Sequence, residues 1–304
     1  MPSDTPDIAL LTERRYSAST AAADDWYLIN ILHDDRLLQD ALMKMGWPSI
    51  RVDWAAQDVD WTRFQCAVFR TTWDYFDRIS EFNDWLRRIE RQTRLCNEAS
   101  LIRWNLDKHY LADLESRGIP IVPTRFIPAG SILSLSDLLE ETGWMEAVIK
   151  PCISGAARHT YRVHHRNAAG VQSKIQPLLW SESFLLQPFL ADVQQTGEDT
   201  LIFLDGMYTH AVRKVPSPGD YRVQDDHGGT VHPLRPTFEQ IELAERTMET
   251  CHPPPAYGRV DMVRDPDGQW RVMELELIEP ELWLRNSPES AEKLAQAIVR
   301  VASR

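Results

Sequence analysis

Four cysteines are all that 304 residues carry, and Cys66, Cys96, Cys152 and Cys251 stand too far apart to form a paired metal-ligand spacing. That scarcity excludes a disulfide-stapled scaffold and a cysteine–zinc centre, and it fits a reducing compartment. Long apolar runs are missing too: no stretch of the sequence approaches the ~20 uninterrupted apolar residues that cross a bilayer. The opening stretch, MPSDTPDIALLTERR, lacks the charged-then-apolar pattern of a secretory signal. A cytoplasmic protein with no membrane partner is expected. Positive charge is also in short supply. Lys and Arg number 33 against 45 Asp and Glu, a net charge of -12, which argues against a nucleic-acid partner. A local basic pocket for one nucleotide is compatible with that balance.

What is present is apolar material for a sizeable core: 43% of residues are hydrophobic, enough to divide among two or three lobes. Ile8 to Thr12 is a short apolar run, followed by a polar segment with Arg14, Arg15, Asp24 and Asp25. Asp34 and Asp35 are placed to cap a helix whose apolar positions Leu37, Leu38, Ala41, Leu42 and Met45 recur at helical spacing. Further strands are expected at Ile50–Val52 and Cys66–Phe69, the latter leading into Thr71-Thr72-Trp73-Asp74-Tyr75. Strand, helix, strand, strand reads as an α/β lobe with a largely parallel sheet over residues 1–96. Ligands of such sheets sit beyond the carboxyl ends of the strands, which makes Arg14, Asp24, Trp73, Asp74 and Tyr75 candidate substrate contacts. A central lobe is expected over 97–190 and a C-terminal lobe over 191–304. Asn105 is expected to open a helix carrying Lys108, and the final stretch from Ser287 reads as an amphipathic helix.

Residues 258–280, GRVDMVRDPDGQWRVMELELIEP, carry the strongest local signal. Asp265-Pro266-Asp267-Gly268 has turn composition between two alternating segments. Alternation puts Arg259 and Asp261 on one face of the first strand and Glu274 and Glu276 on one face of the second. Met273, Leu275 and Leu277 fall on the other. With Asp265 paired to Gly268, Arg259 lies opposite Glu274 and Asp261 one diagonal step away, so the four charges meet; a one-residue bulge would separate them. Three carboxylates gathered in this way suit Mg²⁺, a hard cation that shares its shell with water and phosphate. A solvated hairpin face with an Arg–Glu pair is the plainer alternative.

Other pieces are weak singly. Lys150 ends an apolar strand, and the small-residue loop after it, with Ser154 and Gly155, presents backbone N–H groups suited to phosphate. Leu185 to Leu190 is an apolar run broken by Pro188, which suits a hinge whose backbone meets an adenine edge. Glu198 opens the next strand, and Arg213 and Lys214 lie on a strand placed toward the same region.

Taken in order, Lys108, Lys150-Pro151, the small-residue loop, the Gln187 hinge, Glu198, Arg213/Lys214, Arg259-x-Asp261 and Glu274-x-Glu276 resemble the ATP-grasp superfamily across residues 97–285. D-alanine–D-alanine ligase, glutathione synthetase and the RimK-type ligases are relatives in that sense. The resemblance implies an ATP-grasp fold behind a parallel-sheet N-terminal lobe, with ATP and Mg²⁺ as cofactors. Lys108 and Lys150, with the Ser154–Gly155 loop, are implied to hold phosphates. The backbone around Gln187, Phe189 and Leu190 would hold adenine, and Glu198 the ribose. Asp261, Glu274 and Glu276 are the implied metal ligands, and Arg259, with Lys214 and Arg213, the catalytic cations. Most members have Asn where this chain has Glu276, so the site carries an added negative charge.

The segments FRTTWDY (69–75), WNLDK (104–108) and ELELIEP (274–280) are similar to a branch that includes the cyclase of D-cycloserine biosynthesis. That resemblance implies ATP-driven phosphorylation of a carboxyl or carbonyl oxygen followed by C–N bond formation, with closure of O-ureido-D-serine or of another small amino-acid-like substrate. An intermolecular amide-forming ligase and a non-catalytic ATP-binding module are the alternatives. A homodimer is expected from base rates.

Overall fold

Three sheets carry the chain, which this computed structural model describes over residues 7–223 and 228–304. Residues 216–230, PSPGDYRVQDDHGGT, have loop composition and lie partly outside the described residues. Strands β1 (Ile8–Thr12), β2 (Ser49–Asp53), β3 (Cys66–Thr71) and β4 (Arg94–Cys96) form an all-parallel sheet in the order β2-β1-β3-β4. β1 and β3 are buried along their whole length because helices cover both faces of the sheet. Helix α1 (Trp26–Lys44) packs Leu38, Ala41 and Leu42 against Ile8, Leu10 and Val68. Helix α2 (Ile79–Ile89) places Phe82, Trp85, Leu86 and Ile89 against Ala9, Leu11, Ala67 and Phe69.

Asp34 and Asp35 do not cap a helix. Asp25 does, accepting from the Leu28 amide at 3.0 Å, and α1 begins ten residues earlier than the two acids suggest. Both are buried inside α1, where Asp35 takes Arg51 at 2.8 Å and Arg70 at 2.9 Å, and Asp34 takes Arg285 at 2.8 Å. A buried carboxylate needs such partners. Local composition resembled a cap, but long-range arginines decide the outcome.

Asn105 likewise ends a helix instead of opening one. It closes α3 (Ala99–Asn105), Lys108 sits in the turn that follows, and α4 (Tyr110–Ser116) comes after. The buried Asn105 amide donates to the Leu275 carbonyl and accepts from the Leu277 amide, at 2.8 and 2.7 Å. This clasp holds the turn against the acidic hairpin.

The second sheet is antiparallel: β5 (Arg125–Ile127), β6 (Glu146–Pro151), β7 (Tyr161–His164) and β8 (Phe184–Pro188), in the order β5-β8-β6-β7. Helices α5 (Leu135–Thr142) and α6 (Ala168–Ile175) pack on it around Ile149, Val163 and Phe184. After α7 (Asp192–Gln195) comes the third sheet, also antiparallel. It contains β9 (Glu198–Leu204), β10 (Met207–Val215), β11 (Thr230–Leu234), β12 (Tyr257–Arg264) and β13 (Trp270–Glu276), in the order β11-β10-β9-β12-β13. The β9–β10 turn is Asp205-Gly206, both at positive φ (58° and 72°), the pair of conformations that matches strand twist in a tight hairpin. α8 (Phe238–Glu249), with a Thr237/Gln240 capping box, covers one side. α9 (Ser290–Ala302) buries Leu294, Ala295 and Ile298 in the same cluster as α1 and β9, joining the first and third sheets through one core. Among the described residues no helix is long and apolar enough to cross a membrane.

Candidate active site

The hairpin of β12 and β13 reaches the expected juxtaposition by a different register. Asp265 donates its amide to the Gln269 carbonyl at 2.9 Å, so the turn is one residue longer than Asp265-to-Gly268 closure would make it. A bulge between Asp261 and Met262 then shifts the ladder by one more. Two single shifts restore the side-chain parity that either alone would destroy. Asp261 pairs directly with Glu274, Arg259 with Glu276, and all four line one cleft. The bulge has a second consequence. Met273, expected on the core face, lines the cleft beside Glu274 and packs against Leu190, Val193, Val223 and Val263. An apolar floor thus lies next to the charged face.

Around Asp261 the charges interlock. Its carboxylate accepts from Thr200 Oγ1 at 2.8 Å, Lys214 Nζ at 2.9 Å, and Arg259 Nε and Nη2 at 3.0 and 2.8 Å. Burial pushes that carboxyl up, but Arg259 and Lys214 outweigh it and hold Asp261 well below the usual carboxylate range. Lys214 also pairs with Glu198, and Arg259 with Glu276. Desolvation wins at those two acids: despite Lys214 and Arg259 respectively, each carboxyl is pushed up to about 7, with Asp261 adding to both. Glu274 goes the other way, because Lys108 and Lys150 together overcome its burial. Arg259 also lies 5.4 Å from the centre of the Trp283 ring.

Arg213 does not join this group. Neighbouring residues of a strand point to opposite faces, so with Lys214 in the cleft Arg213 turns away. It forms a two-pronged bridge to Asp199 at 2.6 and 2.9 Å, and Asp199 is held in turn by Gln240 at 2.7 Å. The expected catalytic placement of Arg213 is corrected on that ground.

Lys108 and Lys150 both line the cleft, from the α3–α4 turn and from the end of β6. Lys108 Nζ donates to the Ser154 carbonyl at 2.6 Å and pairs with Glu274 at 3.0 Å, and its amide bonds the Cys152 carbonyl at 2.9 Å. Lys150 is lowered by burial, a fall that Glu274 opposes and the nearby Lys108 deepens. Ser154 and Gly155 line the same space, and a Cβ on Gly155 would stand 2.6 Å from the Phe76 ring, so only glycine permits that approach. Ala156, Ala157 and His159 hold positive φ (47°, 55° and 49°), strain of the sort that surrounding contacts must maintain. Arg158 supplies those contacts, bridging Asp77 at 2.8 Å and Glu182 at 2.7 Å. Opposite the loop, Gln187, Pro188, Phe189 and Leu190 form one wall. The Gln187 side chain is spent on Thr124 at 3.0 Å, and the Phe189 ring has Arg162 over its face (3.7 Å) and Tyr221 perpendicular to it (6.0 Å).

On the N-terminal side only part of the expected set arrives. Trp73 lines the cleft and Tyr75 lies buried just behind. Arg14 and Asp24 are exposed and outside the lining, whereas the neighbouring Arg15, also exposed, reaches it. Asp74 is likewise outside it and serves its own lobe, accepting from Trp54 Nε1 at 2.7 Å and Arg78 at 2.8 Å. Arg15, Tyr16, Tyr27, Glu279 and Glu281 line the cleft without having been singled out as site residues. Glu279 had a signal, since it sits in the ELELIEP segment; the others are single polar or aromatic residues with no spacing to mark them.

A second donor set exists: Asp107, His109 and Cys152 place ligand atoms within 4.8 Å of one another. It is poorly suited to a metal, because Asp107 is bonded to the His109 amide and ring, and burial pushes the Cys152 thiol up to about 12.

Comparison with known proteins bears on this geometry. The family profile described as "D-cycloserine synthetase DcsG, N-terminal domain" matches residues 8–97. The cycloserine biosynthesis protein DcsG of Streptomyces lavendulae is 33% identical, covering 91% of this chain and 97% of its own length. A crystal structure of D-cycloserine synthetase DcsG superposes with a TM-score of 0.82 at 31% identity, covering 97% of this chain and 99% of that one. The ATP-grasp ligase PsnB, solved with a minimal precursor, Mg and ADP, shares the fold at a TM-score of 0.59 and 13% identity, over 98% of this chain and 99% of that one.

Proposed function

The chain belongs to the D-cycloserine synthetase DcsG family of ATP-grasp ligases, and from that membership we propose that its cleft phosphorylates the carboxyl of a small amino-acid-like substrate and then closes the substrate on itself. The protein is an ATP-dependent, ADP-forming C–N ligase of antibiotic biosynthesis. The finer reading, cyclisation of O-ureido-serine to cycloserine, is supported by the similarity to DcsG, and the ATP chemistry by one observation. Arg259, Asp261, Glu274 and Glu276 share one face of a cleft into which Lys108 and Lys150 also project. In this reading residues 1–96 supply substrate contacts, 97–190 the phosphate loop, and 191–304 the metal-binding hairpin. A cytoplasmic homodimer is part of the same proposal.

The acids fit a hard divalent cation. Glu276 and Glu198 are pushed up to about 7 partly by the negative charge of Asp261, a strain that an added 2+ ion relieves. Asp261, Glu274 and Glu276 would hold Mg²⁺, which when bound neutralises phosphate charge during transfer. The chain's own groups do the rest. Lys108 and Lys150 meet the phosphate oxygens, with the Ser154–Gly155 loop folded over them. The wall at Gln187, Phe189 and Leu190, over the floor of Met273, takes the adenine, and Glu198 faces the ribose. The substrate carboxylate oxygen attacks the γ-phosphorus in line, which releases ADP and forms an acyl phosphate. Arg259 faces the charge that builds on that carbonyl oxygen, and Lys214 keeps Asp261 ionised. The ureido nitrogen bonded to oxygen then attacks the acyl carbon, loses its proton and displaces phosphate, forming the C–N bond. Water removes the carbamoyl group left on that nitrogen as carbamic acid.

Ring closure needs no second amine. ADP release is therefore expected with O-ureido-serine alone, unchanged by added amines. Turnover that starts only when a second amine is supplied would replace this reading with an intermolecular ligase, and binding of ATP without turnover on any amino acid would leave only a nucleotide-binding module.

A further inference from the structure

The carboxylates lining the cleft differ in one respect. Glu198 is paired with Lys214, Asp261 with Lys214 and Arg259, Glu274 with Lys108, Glu276 with Arg259, and Glu281 with Arg285. Glu279 lines the same cleft, yet among the described residues no Lys, Arg or His nitrogen comes within 4.0 Å of it. Its position is nonetheless fixed. Ile278 and Pro280 on either side are buried, the Glu279 carbonyl accepts from Trp73 Nε1 at 3.0 Å, and the Tyr75 hydroxyl is hydrogen-bonded to its carboxyl. Burial and the negative charge of Glu276 push this carboxyl well above the usual carboxylate range, with Lys108 opposing from beyond 4.0 Å, so a positive group arriving beside it favours the ionised form.

Aromatic rings stand on the same side of the cleft. Tyr16, Tyr27 and Trp73 form a three-ring cluster with centroid separations of 5.5 to 6.0 Å, and all three line the space. Ring faces attract an ammonium group, most strongly where water is reduced. Glu279 lies three residues beyond Glu276, which pairs with Arg259, so the aromatic side of the cleft adjoins the position where the reacting carboxyl is placed. In a free α-amino acid the ammonium and the carboxyl are one carbon apart, the arrangement that adjoining sites of opposite charge take.

We propose that Glu279, backed by Tyr75 and flanked by the Trp73–Tyr16–Tyr27 cluster, is the subsite for a free α-ammonium group on the substrate, so that the enzyme selects unmodified amino acids over N-acylated ones. This rests on the reading that the carboxyl of the same molecule is phosphorylated beside Arg259. Tyr75 is a positioning residue in this scheme, because its hydroxyl fixes the carboxylate that meets the ligand.

The test measures binding without turnover. Wild-type protein and Glu279→Gln are loaded with Mg²⁺ and a non-hydrolysable ATP analogue, then titrated calorimetrically with O-ureido-serine and with its N-acetyl derivative. Glu279→Gln is expected to weaken the free-amine ligand about ten- to a hundredfold, the loss typical of one charge-assisted hydrogen bond. It should leave the N-acetyl ligand and the ATP analogue unchanged, and Glu279→Asp should recover part of the loss. Equal weakening of both ligands, or no weakening of either, overturns the subsite. A separate assay of ADP release keeps the two readings apart. Turnover with no preference for the free amine refutes the subsite and leaves the ligase standing. A Glu279-dependent preference without ADP release does the reverse.

Discussion

Replacing Glu274 by Gln is expected to lower ATP turnover by about 10²- to 10³-fold, the loss that follows removal of one preorganised charged group at a transferring centre. The side chain keeps its shape, so circular dichroism and gel filtration should match wild type. Glu274 is the acid that Lys108 and Lys150 keep ionised against burial, and it pairs across the ladder with Asp261. Without its charge, the hairpin loses a ligand for the divalent ion and Lys108 loses its 3.0 Å partner. The fall should appear in kcat, with nucleotide affinity changing less, because charge at this position matters most while the phosphoryl group moves. Turnover within threefold of wild type, measured as ADP release, would remove Glu274 from the chemistry.

Arg259→Met is expected to damage both stability and rate. The guanidinium is buried, bonds Asp261 twice and pairs with Glu276, and its positive form is strongly favoured because these acids outweigh the cost of burial. Methionine fills similar volume but leaves Glu276 without its cation, and uncoupling a buried pair in this way typically costs about 3–5 kcal/mol. A lowered melting temperature without ligand, partly restored by Mg²⁺ and ADP, is the expected signature. kcat should fall by about 10²-fold or more on top of that, as for loss of an oxyanion donor. Arg213→Met is the control on β10, which β9 separates from the strand of Arg259. It too removes a bidentate arginine, but from the face turned away from the cleft, so stability should drop while kcat stays near wild type. If Arg213→Met reduced kcat as much as Arg259→Met, the assignment of faces on β10 would be wrong.

The acidic hairpin was legible because a period of two is hard to disguise: Asp261, Glu274 and Glu276 had to share a face or be split by an odd number of register shifts. Their direct pairing was not legible, since the turn is longer by one and the bulge at Asp261/Met262 adds another, and neither leaves a composition signature. The same bulge moved Met273 into the cleft. The parallel N-terminal sheet followed from its apolar runs, whereas Asp34 and Asp35 misled because their partners, Arg51, Arg70 and Arg285, are set by the tertiary fold. Arg213 failed for a simpler reason: strand alternation excludes it once Lys214 is placed inward. Arg15, Tyr16 and Tyr27 reach the cleft only because the first sheet packs against the third through α1 and α9, a long-range fact with no local trace.

The most direct measurement is anomalous scattering from Mn²⁺ in crystals grown with ADP. The account predicts the metal signal in contact with carboxylate oxygens of Asp261, Glu274 and Glu276, with Lys108 and Lys150 turned to the phosphates. A signal at Asp107, His109 and Cys152, or on the nucleotide alone while the hairpin acids keep only their lysine and arginine partners, would contradict it.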